Sequence, residues 1–396
     1  MAATNAVHNV ADYGAAGDGK TDDTHAIDLA IAAASPASAP TGGIVFFPPG
    51  TYLISSPLTV QPGMTFQGAG WNTPGGETNV FAGSWIFVAT DAGFSPILLQ
   101  GSSGAVRNLG FNVTNQVSSG PPDNAQPMIY VTGANSLIED VFLFNPYDGI
   151  VVTGTARAVI RRIFGQPLRS GIQIDNSEDT NYIDTVHFWS FWQTSGEAWD
   201  YERNNASAIT LFRCDNPHIS NVFASNYNIG LTLAASQYGR PHKVHLVNAD
   251  FDDCMTGIHV NCPSQSGGDQ VALQMANVTM QAPTDAGTGS YGMWVEAGPG
   301  NTLVQASNFR ATACGANAIR IDAENVSFYG ENISLEDWKG DAGFAITGSN
   351  SLAYLDLGFV AQSSAPGTKS FSPPSQFRMS QMYTPSAAPD GPSQGA

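Results

Sequence analysis

Charge is the first thing this chain is short of. Only 12% of its 396 residues are Asp, Glu, Lys or Arg, with 15 basic against 33 acidic, a net charge of −18. That deficit of Lys and Arg excludes nucleic acid and anionic membrane surfaces as expected partners. It also counts against a strongly anionic polymer unless a local basic patch exists. No apolar run is long enough to span a membrane. Met1-Ala2-Ala3-Thr4-Asn5 lacks the charged and apolar parts of a secretory leader, so none is expected at this end. The four cysteines, Cys214, Cys254, Cys262 and Cys314, have no close paired spacing. They are expected to be buried, with no metal, cofactor or disulfide framework. Asn-Gly hairpin signals between paired strands are missing, which argues against an antiparallel sandwich. What is abundant is glycine, 42 residues.

Many of those glycines open one recurring phrase: a small residue, an apolar one, any residue, another apolar one. Copies are Gly149-Ile150-Val151-Val152, Gly171-Ile172-Gln173-Ile174, Ala208-Ile209-Thr210-Leu211, Gly230-Leu231-Thr232-Leu233, Gly257-Ile258-His259-Val260, Gly292-Met293-Trp294-Val295, Ala318-Ile319-Arg320-Ile321 and Gly343-Phe344-Ala345-Ile346. Their starts are 22, 37, 22, 27, 35, 26 and 25 residues apart. A fixed short strand with a variable spacer marks a solenoid. A 22-residue spacing is too short for a strand and crossover helix, and suits three short strands joined by bends. A second apolar run usually precedes each phrase. The expectation is all-β: a single-stranded, right-handed parallel β-helix, with like positions of adjacent coils ~4.8 Å apart. Residues 1–360 are expected to form it. Within 8–35, an Ala-rich helix at 23–34, N-capped by Asp22 or Thr21, is expected to cover the open end of the core.

Gly14-Ala15-Ala16-Gly17-Asp18-Gly19-Lys20-Thr21 matches the P-loop pattern. Its context contradicts a phosphate site: no buried strand precedes it, no αβ alternation follows, and Asp18, Asp22 and Asp23 would repel the anion. The same stretch, Val10-Ala11-Asp12-Tyr13-Gly14-Ala15 with Asp18-Gly19-Lys20-Thr21-Asp22-Asp23-Thr24, resembles the N-terminal motif of the pectate lyase superfamily. Gly42-Gly43-Ile44-Val45-Phe46-Phe47-Pro48-Pro49-Gly50-Thr51-Tyr52 is similar to that family's first coil. The superfamily includes glycoside hydrolases, polysaccharide lyases and phage tailspike depolymerases. The resemblance implies the β-helix and a carbohydrate ligand, and leaves the reaction open. It also implies an extracellular setting, secreted or virion-associated, and a possible homotrimer.

Two Gly-, Pro- and Asn-rich insertions, 71–79 and 116–127, are expected as surface loops. Residues 361–396 turn to Ser, Pro, Gln and Gly and read as a C-terminal tail, either disordered or an arm over the last turn or a neighbouring subunit.

Because the core of such a helix is packed, function belongs on an outer face. In the enzymes this fold resembles, the groove runs along the sheet made by the Gly-led strands. Its outward residues would be Val151, Gln173, Thr210, Thr232, His259, Trp294, Arg320 and Ala345, with Asp175, Glu296 and Asp322 two positions on. The 37-residue gap adds Trp189 and Trp192 on a strand, then a loop holding Glu197, Trp199, Asp200, Tyr201, Glu202 and Arg203. That loop should overhang the groove. Aromatic rings stack on sugars, and carboxylates and Arg bind hydroxyls. The alternative is that Trp189, Phe191 and Trp192 are partly core and the loop structural.

Glycoside hydrolysis needs two carboxyl groups, ~5 Å apart for retention or roughly 6.5–9.5 Å for inversion. Candidates are Asp148, Asp175, Asp200, Glu202, Asp252 and Asp253. Asp252-Asp253-Cys254 resembles the paired aspartates of polygalacturonase-like hydrolases, but Met255-Thr256 precede Gly257 and that family's other motifs are missing. A lyase would need a base and a cation, for which His259, Tyr201, Arg203, Arg169 and Arg240 are available. The leading expectation is a polysaccharide-degrading hydrolase. Glu202 would be the general acid, and Asp175 or Asp200 the base or nucleophile, with Asp252 a further candidate. Trp189, Trp192, Trp199, Tyr201, Arg203, His259, Trp294 and Arg169 would bind sugar. The alternatives are a lyase on an acidic glycan and a non-catalytic, tailspike-like glycan-binding protein.

Overall fold

The computed structural model describes residues 7–36, 42–74, 79–89, 92–123, 126–263, 270–298, 300–356, 360–363 and 368–379. Two parallel sheets wind into a right-handed β-helix. Sheet B, the twelve-stranded one, holds the Gly-led phrases, from Leu58–Val60 through Ser170–Asp175 and Thr256–Asn261 to Lys369–Ser372. Its register follows the repeat. Ile150, Ile172, Ile209, Leu231, Ile258 and Met293 stack inward, while Val151, Gln173, Thr210, Thr232, His259 and Trp294 form the facing line.

Glycine opens the phrase because the chain approaches too closely for a side chain. A Cβ on Gly171 would meet the Phe188 ring at 2.3 Å and the Ala208 carbonyl oxygen at 2.4 Å. Phe188 ends the following strand, in the other sheet, so the last apolar residue of that strand packs back over the glycine of the strand before it.

Sheet A holds the longer strands, such as Val271–Gln281, Thr302–Thr312 and Val326–Glu336. Each bends at one residue with φ near +55°, among them Asn221, Asn248, Asn277, Asn308 and Asn332. Asparagine tolerates this left-handed geometry. The five amides hydrogen-bond from coil to coil at 2.7–3.1 Å. The core between the sheets is one continuous apolar cluster, including the four buried, free cysteines.

At the N-terminal end, α1 (Thr24–Ala34) buries Ile27, Ala30 and Ile31 in that core. Asp22 accepts from the Thr24 N–H, and Asp23 accepts from the N–H groups of Ala16 and Gly17. The amides that would cradle a phosphate are therefore held by the chain's own carboxylate. The insertion beginning at Trp71 is not simply a surface loop. Trp71 packs on Phe142 and Phe164 beside Trp85, in a second apolar cluster outside the main core. At the other end, Lys369–Ser372 and Phe377–Met379 pair with strands of the two sheets, past residue 360. Residues 380–396 of the expected tail lie outside the described residues.

Candidate functional site

The 37-residue gap contains a helix where a loop was expected. α2 spans Glu197–Asn205, with Glu197 and Asp200 in its first turn and Arg203 in its last. This charge order suits the helix dipole. Asn204 and Asn205 donate to the carbonyls of Asp200 and Tyr201. The four-residue spacing gives α2 two separate stripes. Ala198 and Glu202 are buried, while Trp199 and Arg203 face outward together, the guanidinium 5.7 Å from the indole centroid.

Glu202 is wholly buried and cannot meet a substrate, which corrects its expected role as general acid. Gln166 Nε2 donates to its Oε2 at 2.7 Å. Burial pushes its carboxyl up to about 8, against the hydrogen bonds from Gln166 and Asn226. Its Oε1 and the Asn226 Oδ1 have no hydrogen-bond partner among the described residues. Glu202 therefore anchors α2 in neutral form.

The other expected carboxylates do not converge either. Asp200 lies on the exposed side of α2. Asp175 ends the strand Ser170–Asp175, whereas α2 joins sheet B at the opposite edge, roughly 16 Å away along a strand. Its Oδ1 accepts from the backbone of Asn176 and Arg213 and from Ser236 Oγ, so it clamps a turn. Asp252 ends a strand of sheet A. Trp192 packs its ring against the second apolar cluster, and its backbone N–H donates to Gln166 Oε1.

What the fold does bring together is a cavity of about 430 Å³ between α2 and the 283–285 turn. Trp189 and Trp199 wall it, Asn226 lines its buried side, and Arg203, Asp253 and Asp285 supply charge. Arg203 Nη1 donates to Asp285 Oδ2 at 3.0 Å, and Nη2 donates to Oδ1. That hydrogen bonding holds Asp285 below the usual carboxylate range. Burial, then repulsion from Asp252, pushes Asp253 up. Asp285 carried no sequence signal, because the turns between coils do not follow the repeat.

Two further clusters flank the cavity along sheet B. Arg169 pairs with the buried Asp148 through Nε at 2.7 Å and through Nη2, and lies 4.9 Å from the centroid of the Tyr147 ring. The Tyr147 and Tyr201 hydroxyls are 3.0 Å apart. Burial, then the Tyr201 hydrogen bond, pushes Tyr147 up to about 12. In the second cluster, His259 stacks on Trp294 at 4.9 Å, and Trp294 on Tyr291 at 5.0 Å. His259 Nε2 lies 2.9 Å from Glu296 Oε2, and Trp294 Nε1 donates to Asp322. Thus Tyr201 and Arg169 meet in one place, His259 and Trp294 in another, and Trp189, Trp199 and Arg203 in the cavity.

Residues 7–100 match the family described as rhamnogalacturonase A/epimerase, pectate lyase-like. Mannuronan C5-epimerase AlgE1 of Azotobacter vinelandii is 26% identical over 276 residues, covering 64% of this chain and 18% of that protein. The chain matches less than a fifth of the length of such curated relatives. Among solved structures, the A-module of Azotobacter vinelandii mannuronan C-5 epimerase AlgE4 has a TM-score of 0.62 at 15% identity, over 95% of this chain and 98% of that one. The catalytic domain of a GH87 α-1,3-glucanase in complex with nigerose has a TM-score of 0.61 at 14% identity, over 90% and 66%. At such identities the structural likeness speaks to the fold. It shows a right-handed β-helix, whose first part, residues 7–100, is similar to the pectate lyase-like family.

Proposed function

We propose that this chain is a polysaccharide-active enzyme that hydrolyses glycosidic bonds of a neutral glycan at the cavity beside α2. One observation carries this: two carboxyl groups with oppositely shifted acidities line one tryptophan-walled cavity. Asp253 is held toward its protonated form and Asp285 toward its ionised form. An acid and a base separated by environment are what glycoside hydrolysis requires. Asp253 would protonate the leaving oxygen, and Asp285, oriented by Arg203, would serve as base or nucleophile. Trp189 and Trp199 would stack on the sugar rings. The net charge of −18 and the pairing of Arg169 and Arg203 with carboxylates favour a neutral chain. The likeness to a carbohydrate-active glucanase fold agrees with this reading.

The phenol pair Tyr147–Tyr201 beside Arg169 favours a second reading, proton transfer next to a uronate carboxylate, leading to elimination or epimerisation. The relative named as a mannuronan epimerase agrees with that alternative. Product analysis separates the two. New reducing ends from neutral glucans, without unsaturated sugars, support hydrolysis. Unsaturated ends, or solvent deuterium incorporated into a uronate polymer, support the second reading and overturn the first.

A further inference from the structure

Sheet A carries an outward line of its own, far from the cavity beside α2. Gln274, Gln305, Tyr329, Tyr354 and Arg378 stand in register on successive coils. Two residues on, Ser307, Glu331 and Asp356 form a parallel line. Ala306 and Gly330 lie buried between the two lines, and the lines border one face. That face holds a cavity of about 720 Å³. Tyr329 and Tyr354 are 45% and 38% exposed, large values for aromatic residues in a solenoid strand. Their rings lie parallel within 9° at 4.9 Å. Gln274 Nε2 donates to Gln305 Oε1 at 2.7 Å, which orders the amides beside them.

We infer that this face is a second glycan-binding platform, which takes a neutral pyranose chain running along the solenoid axis. Three features point to that ligand. Uncovered tyrosine surface offers the apolar contact that a sugar ring needs, while amides, a serine and carboxylates offer both donors and acceptors for its hydroxyls. The recognition groups repeat once per coil, every ~4.8 Å, a step close to the length of one sugar ring and suited to a linear repeating ligand. Glu331 and Asp356, on a chain of net charge −18, repel anionic polymers and so select a neutral one. A platform on the face of sheet A, apart from the turns that wall the cavity, would hold the polymer while another segment is processed.

The test is affinity electrophoresis of the full chain in gels containing laminarin, dextran or xylan, with alginate and polygalacturonate as anionic comparators. At least one neutral polysaccharide should retard the wild type. Tyr329→Ala/Tyr354→Ala should weaken that retardation roughly tenfold while turnover of short oligosaccharides stays unchanged. Gln305→Ala keeps both rings and should give a smaller loss, which separates lost recognition from lost folding. Asp253→Asn should keep the retardation, so the platform and the hydrolytic site stand or fall separately. The inference is overturned if no neutral polysaccharide retards the wild type, if only the anionic ones do, or if the double tyrosine variant is retarded equally. It is also overturned if light scattering shows that the double variant dissociates an oligomer with glycan binding unaltered, since the face would then join two copies.

Discussion

Gln166 and Glu202 lie 36 residues apart in sequence and meet in the interior, where Gln166 Nε2 donates to Glu202 Oε2 at 2.7 Å. This contact fixes α2 and therefore the wall that carries Trp199 and Arg203. A carboxyl that is neutral when folded and acidic when unfolded ties stability to pH. Its folded value of about 8 lies above its ordinary 4.5, so the native state binds the extra proton. The stability it contributes is fully present below the unfolded value and is lost as pH rises towards 8. Wild-type unfolding free energy should fall across that window, by at most about 1.4 kcal/mol per pH unit. Glu202→Gln should remove this slope and be the more stable form at pH 8. Urea unfolding from pH 5 to 9 checks it, and parallel slopes would contradict the anchoring role.

The asparagine ladder of sheet A makes a separate prediction. Asn277 sits at φ +56°, donates to Asn248 and accepts from Asn308. Asn277→Ala loses both bonds and leaves a Cβ in the left-handed region, which should cost about 2–4 kcal/mol. Asn277→Gly loses the bonds but suits the backbone, so it should cost less. Chemical denaturation of the two variants gives the order, and the reverse order would contradict the account of the bend.

Much of this fold is legible in the sequence. The Gly-led phrase marks sheet B because period-two alternation and a steric need for glycine coincide at residues such as Gly171. The asparagine ladder left a signal too: Asn221, Asn248, Asn277, Asn308 and Asn332 each follow by three residues an outward position of sheet A, from His218 to Tyr329. The site was harder to read, for two physical reasons. Glu202 looked like a surface acid because carboxylates are rarely buried, and only its i−4 neighbour Ala198 hinted at an inward stripe. Asp285 meets Arg203 across 82 residues, in a turn whose length varies from coil to coil. A repeat places strands in register but says nothing about which turns touch.

Arg203 ties the cavity's electrostatics to its shape. Its hydrogen bonds keep Asp285 acidic, and its guanidinium lies over the Trp199 ring. Arg203→Gln removes the positive charge, so the Asp285 carboxyl should rise. The acidic limb of the pH–rate profile should then move to higher pH, with a fall in kcat. An unmoved acidic limb would separate Asp285 from the ionisation that limits the rate.

On the face of sheet B, Trp294 lies stacked between His259 and Tyr291. If the glycan extends from the cavity along this face, Trp294→Ala should raise KM for long chains by about tenfold and leave short substrates unaffected. Equal effects on both lengths would place Trp294 outside the binding path.

The central claim rests on Asp253 and Asp285, and release of reducing ends from neutral glucans by their asparagine variants tests it most directly. Asp253→Asn and Asp285→Asn, each folded as judged by its unfolding transition, should lose about a hundredfold or more of the wild-type rate, while Glu202→Gln at neutral pH keeps most of it. Full activity in either aspartate variant would contradict the assignment.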